Sequence, residues 1–292
     1  MRVYNPKDWI SLLLRPHQSS SFRLMFWLIL IVCLFTLIVV YIEQDVLKLP
    51  LDHPLKNVLA LQSFLGFAIS ILLVFRTNTA YDRWWEGRKL WGSLVNSSRN
   101  LAIKVGSIFS DNHEALNFYK ESIPLFAHHL HLHLKKEKTR LMLDEVNHPM
   151  LELGDSKHLP NQVSKIIFQR TYEFYKQGQL SIDELRLILQ ELTNFVDVCG
   201  ACERIKNTPI PYSYSAFIKK VVFFYIATMP FGLSFTLGYW SIPIVSLVFY
   251  VMLGMELVAE EIEDPFSGDE NDIPMDKIAE NIKKHVAEIL NL

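Results

Sequence analysis

Three clusters in this 292-residue chain have residue types and spacings that chemistry uses. HHLHLHL, residues 128–134, offers His129 and His133 at i, i+4 and His128 and His131 at i, i+3. Either pair lies on one helix face, where it can hold a single metal ion, zinc above all. No glutamate stands in HExxH register, so a zinc protease is excluded. Such a cluster could equally confer pH sensitivity, and a solvated or packed face is the plainer alternative to both. Cys199-Gly200-Ala201-Cys202 is a CxxC. Redox use wants a helix N-terminus after a strand, whereas this pair sits inside a helical pattern, where cysteines act as small buried apolar groups. EEIEDPFSGDENDIP, residues 260–274, is dense in carboxylates. An EF-hand loop starting at Asp269 needs glycine at its sixth position, where Pro274 stands, so that loop is excluded. A metal site, a soluble tail and a hinge remain. There is no phosphate-binding glycine loop, nucleophile elbow or kinase signature, and nothing here asks for an enzyme.

The elements that carry these clusters follow from apolar and charged segregation. Half of the residues are apolar and 21% are charged, which fits a globular chain only if the two kinds are kept apart. They are. Met25–Ile42, Asn57–Phe75 and Val221–Met255 hold no charge. The first two have the length of one spanning helix each. Gln62, Ser63, Gly66 and Ser70 interrupt the second run, and polar or small residues in a span face protein or a water-filled path. The third run, as one helix, would be about 52 Å long, well past a ~30 Å hydrocarbon core. GYWSIP, residues 238–243, divides it in two, and Pro230 and Gly232 predict a kink before that turn.

The expected spans are therefore about 24–43, 57–76, 217–237 and 241–258. Helical regions of about 77–212 and 259–292 complete the chain. Helix two has no strong breaker after Phe75 and should run on past the membrane. Its Trp84, Trp85 and Trp91 mark either an interface or bundle packing. Ser181 and Glu184 have capping-box spacing, and Leu180, Leu185, Leu189, Leu192, Phe195 and Val196 form an apolar stripe behind them. His148–Pro160 is the expected loop. Three cysteines make no disulfide framework. Basic residues precede span one, follow span two and open span three, whereas the connections at 43–56 and 238–243 carry only Lys48 and Lys56. The positive-inside rule then puts both termini and the middle region in the cytoplasm, in the cell's inner (plasma) membrane, with no call for nucleic acid.

LGFAISILLVFRTNTAYDRWWEGRKLWG (65–92), GACERIKNTPIPYSY (200–214) and EDPFSGDENDIPMD (263–276) together resemble the bestrophin family in its bacterial branch. The similarity covers most of the chain in matching order. It implies an all-α membrane protein, a homopentameric channel for inorganic ions. Each subunit would give four transmembrane helices and a cytosolic helical bundle, with the second span lining one pore. Vertebrate relatives are calcium-gated anion channels and bacterial ones can favour cations, so ion sign does not transfer.

The resemblance also assigns residues. Phe67, Ile71 and Phe75 match the narrow neck, and their i, i+4, i+8 spacing puts them on one face. Five copies would form an apolar ring that stops ions by dewetting, unless the stripe merely packs or faces lipid. The cytosolic exit falls near Asp183, with Ile182 and Leu185 beside it. An apolar residue is usual there, so a carboxylate ring leans the pore towards cations. Alternatively, Asp183 only enriches a first helical turn in negative charge. In the acidic turn, Asp269 and Asp272 match the side-chain ligands of the family's calcium clasp, and Glu261 and Asp264 would add backbone carbonyls. Ser267 departs from that pattern, so no cofactor is required and calcium is a candidate only. In place of ligating calcium, Asp269 is also suited to cap the helix of 275–290. The competing reading of the whole chain is a membrane-anchored scaffold or metal sensor without conduction.

Overall fold

The computed structural model describes residues 20–50, 52–135, 158–269 and 271–290. Among them the chain is all-helical, with no strand. In chain order the helices are α1 (Ser20–Tyr41), α2 (Val58–Ile108), α3 (His113–Lys135), α4 (Leu159–Lys176), α5 (Ile182–Asn207), α6 (Tyr212–Leu237), α7 (Ser241–Glu263) and α8 (Met275–Leu290). Among the described residues, three stretches are long and apolar enough to cross a bilayer: Met25–Val46, Pro54–Ile108 and Tyr212–Glu263. A short 3-10 turn at Gly238–Trp240 splits the third into α6 and α7. Gly238 has φ of 54°, which only glycine adopts without strain, and so the break falls at GYWSIP.

Two compact units share these helices: described residues within 20–82 and 210–263 form one, and those within 83–209 and 264–290 the other. In the first, Ile69 and Leu73 of α2 pack with Ile218, Val222, Tyr225 and Ile226 of α6 and with Val245 and Met252 of α7. Glu43, the first carboxylate after the uncharged run, is buried in a π-helical turn, where it accepts from the Ser234 hydroxyl. A carboxylate at a helix end is tolerated inside when a donor reaches it. Helix α6 continues through Pro230, and the Leu59 side chain lies 3.1 Å from where a Cβ on Gly232 would sit. The small residue there permits a close approach.

The second unit has a larger core, built on Trp91, Leu94, Leu101 and Val105 of α2 with Tyr119, Phe126, Phe195, Phe266 and Ile282. Helix α5 opens with a complete capping box, Ser181 and Glu184 each serving the other's backbone. Its stripe is buried at Leu180, Leu185, Leu192 and Phe195, but Val196 turns outward because it lies one residue past the packed face. The expected loop needs correcting: Leu159 and Pro160 already belong to α4, where proline suits a first turn. His158 stands just before that helix, and residues 148–157 lie outside the described residues.

Candidate functional site

Helix α2 is a single element of 51 residues, about 76 Å at 1.5 Å per residue. Its first half has two opposed faces. Ile69, Leu73, Arg76 and Ala80 are buried. Phe67, Ile71 and Phe75 lie on the other side and are 71%, 42% and 60% exposed. The chain's own packing does not cover this stripe. Water does not favour three large apolar side chains in a row, so the face requires lipid or further copies of the chain.

One turn of chemistry follows directly on the stripe. The Arg76 guanidinium is buried, 2.7 Å from Glu263 Oε2 and 3.6 Å from Glu256 Oε1. The other Glu263 oxygen accepts from the Ile210 backbone N–H at 2.8 Å. The arrangement ties α2, α7 and the entry to α6 together. Sequence reading used Arg76 only as a topology charge and missed this role. The signal available was an arginine at the end of an uncharged run facing an acidic stretch at the end of another.

The three motifs that carry the family resemblance have a physical reason to occur together. Arg83 donates to the carbonyls of Ile205, at 2.6 Å, and Thr208, and so satisfies the open C-terminal end of α5. Arg204 pairs with Glu86 at 2.5 Å. Trp84 donates from Nε1 to the Asn271 carbonyl at 3.0 Å. Phe266 and Ile273 approach Gly87 so closely that a Cβ there would lie 3.1 Å from each. Trp91 is fully buried and Trp85 about half exposed, so the tryptophans divide between packing and surface.

The acidic turn has a different wiring from the expected one. Helix α7 stops at Glu263, the residue before Asp264-Pro265, as the restriction on pre-proline residues requires. Phe266 anchors the turn in the core. Asp272 Oδ2 accepts from the Ser267 hydroxyl at 2.7 Å, the Gly268 N–H at 2.5 Å and the Asp269 N–H at 2.8 Å. Burial pushes the Asp272 carboxyl above its ordinary range, and these donors pull the other way. The Asp269 side chain accepts from the Ser267 hydroxyl at 3.1 Å, its carbonyl accepts from the Asp272 N–H at 3.2 Å, and among the described contacts it does not cap α8. Asp264 accepts from the Phe266 N–H at 3.3 Å. Glu261 lies on the last turns of α7, in the other unit. Calcium takes six to eight oxygens. Here Asp272 presents one oxygen, Oδ1, that is buried without a described partner, and three amide or hydroxyl donors already occupy its neighbour. The donor set fits a metal-free turn better than a calcium site.

Asp183 and Ile182 stand at the first turn of α5, both exposed, and Asp183 lies 3.5 Å from Arg186. Sequence reading did not include that partner. The histidine cluster also splits differently. His128 and His131 line a groove with Glu121, Asp276, Glu280 and Lys283, whereas His133 turns to Glu203, 2.6 Å away. His158, far off in sequence, reaches the same Glu203 oxygen. Burial alone would raise the Glu203 carboxyl, but the two imidazoles outweigh it and hold it near 2. Cys199 and Cys202 are buried in the second core. Burial pushes the Cys199 thiol up to about 12 and Cys202 further, so neither is a ready thiolate.

Comparison with known proteins agrees in sequence and in fold. The family described as Bacterial/Fungal Bestrophin protein matches residues 1–288. A Nostoc sp. protein named voltage-dependent anion channel-forming protein is 35% identical over 265 residues, 89% of this chain and 84% of its own length. A Synechocystis sp. protein of the same name is 31% identical over 99% of this chain and 94% of its own. The crystal structure of a bacterial bestrophin homologue from Klebsiella pneumoniae superposes with a TM-score of 0.77 at 25% identity. That match covers 91% of this chain and 98% of the other.

Proposed function

The chain belongs to the bacterial and fungal bestrophin family, and from that premise we propose that it is one subunit of a homopentameric ion channel. In this reading α1, the first half of α2, α6 and α7 are the four spans, both termini are cytoplasmic, and the membrane is the plasma membrane. The five copies of α2 line the pore. Phe67, Ile71 and Phe75 are the neck. The observation that carries the reading is their exposure on a face opposite to the one α2 packs on its own chain. A ring of such side chains lets water and ions through only when it wets, so it gates by dewetting without a plug. Arg76 and its two carboxylates brace the helix just below the ring.

Purified protein in planar bilayers tests the reading. Discrete conductances are expected, and their absence from wild type and from neck variants alike would favour a non-conducting scaffold.

On ion sign, Asp183 at the exit favours cations. Two observations favour the contrary, anion-passing reading: the names of the relatives, and Arg186 beside Asp183. Reversal potentials in asymmetric salt separate the two. A cation-selective potential that shifts towards zero in Asp183→Ala supports the carboxylate ring. An anion-selective potential that ignores this change removes it.

The acidic turn acts here as a hinge rather than a calcium clasp. Millimolar calcium is expected to leave the melting temperature of the full-length protein unchanged, and a rise that vanishes in Asp272→Asn would contradict this.

A further inference from the structure

The cluster formed by His133, His158 and Glu203 has no role in conduction as described above, and three helices are needed to build it. His133 is near the C-terminal end of α3, His158 stands immediately before α4, and Glu203 is on the last turns of α5. Both imidazole Nε2 atoms approach the same oxygen, Glu203 Oε1. The two rings are 4.4 Å apart between centroids. One ligating atom from each residue lies within 4.8 Å of the other two. A carboxylate that only paired with two histidines would be free to offer one oxygen to each. Here three Lewis-basic atoms converge on one point, and all three side chains are 20–30% exposed, so water can reach it.

We infer that His133, His158 and Glu203 form a transition-metal site, of the class that takes zinc, with water in the fourth position. Two imidazoles and one carboxylate are a ligand set that zinc uses in four-coordinate, water-bearing sites. Hard cations such as calcium and magnesium prefer all-oxygen shells, which this cluster lacks. Tetrahedral bonds of about 2 Å put ligand atoms about 3.3 Å apart. The present 2.6 Å contact of His133 with Glu203 must therefore open by less than about 1 Å.

The ring of His158 also has a second task in the metal-free protein. Its Nδ1 accepts from the Asn161 N–H at 3.1 Å and so caps α4. With that nitrogen accepting, the ring proton sits on Nε2 and is donated to Glu203. Metal at Nε2 displaces this proton, and Nδ1 then carries one, so the bound form gives up the cap. The metal thus replaces a local helix cap by a link across three helices.

The test uses full-length protein in detergent, stripped with a chelator. Zinc affinity and stoichiometry are read by competition with a chromophoric chelator, and cobalt(II) absorption reports coordination geometry. Wild type is expected to take up one ion per chain, with the strong visible bands of four-coordinate cobalt. His133→Ala and Glu203→Gln are each expected to lose at least about tenfold in affinity, since even outer-shell partners cost that much. His158→Asn removes the ligand but keeps a good capping residue, so it distinguishes metal loss from helix loss. The groove variant His128→Ala/His131→Ala should bind as wild type does. Any variant that elutes as aggregate is set aside, and the remaining ones decide. The site is overturned if wild type holds no zinc at one per chain. It is equally overturned if the folded variants of the three ligands bind as tightly as wild type, or if the groove variant is the one that loses the ion.

Discussion

One helix, α2, makes opposite use of large apolar side chains in its two halves. In residues 64–75 the phenylalanines are turned outward: Phe64, Phe67 and Phe75 are all well exposed, while Ile69 and Leu73 pack on the chain. In residues 91–105 most are turned inward: Trp91, Leu94, Leu101 and Val105 are fully buried under helices of the same chain, with Ile103 left half exposed. The helical period is the same throughout. What differs is the solvent each half is matched to. A segment that packs on its own chain satisfies its apolar surface alone, at roughly 25 cal/mol for each Å² removed from water. A segment that leaves its aromatics outside leaves that task to whatever covers it, which in the proposed channel is lipid and further copies of the chain. A single subunit therefore shows a complete core in one region and an open stripe in the other.

That contrast can be broken by experiment. The largest effect is expected at the inward half. Trp91→Ala should cost about 3–5 kcal/mol, because a fully buried indole leaves a cavity that rigid neighbours do not fill. Chemical denaturation in detergent reads it, and a cost under about 1 kcal/mol would mean that the core is not packed as described. At the boundary between the two halves, Arg76→Ala should cost almost as much, about 3 kcal/mol or more, since it leaves the buried Glu256 and the partly buried Glu263 without the guanidinium between them. The double change Arg76→Met/Glu263→Gln should recover part of that loss. If it recovers nothing, the pairing is not the source of the cost. The smallest effect is expected at the outward half. Phe67→Ala should change stability by no more than about 0.5 kcal/mol, as surface substitutions do. A loss comparable to that of Trp91→Ala would place Phe67 in a core instead of beside a pore.

The parts of this architecture that were legible in the sequence are those set by neighbours along the chain. Uncharged runs gave the apolar helices. GYWSIP gave the break between α6 and α7. Ser181 and Glu184 gave the start of α5, since a capping box is closed within four residues. The side chains that meet across the chain were not legible. Glu203 lies 70 residues from His133 and 45 from His158, and no local period links them. The pairing of Arg76 with Glu263 spans 187 residues. In HHLHLHL the i, i+4 spacing suggested one shared ion, but spacing does not say which histidine turns to α5 and which to α8. In the acidic turn the density of carboxylates suggested a cation, while the backbone amides of Gly268 and Asp269 supply the positive ends that Asp272 needs. The many-carboxylate turn is thus closed on itself through Asp272, whereas His133, His158 and Glu203 bring one ligating atom each within 4.8 Å of one another.

The central claim is that the outward stripe of α2 is the gate of a pore. Single-channel recording of Phe67→Ala/Ile71→Ala/Phe75→Ala in planar bilayers tests it most directly. Smaller rings keep water, so the account predicts a variant that folds as wild type does and conducts more freely, by a higher open probability or a larger unit current. A folded variant with wild-type conductance, or no conductance from either protein, would contradict it.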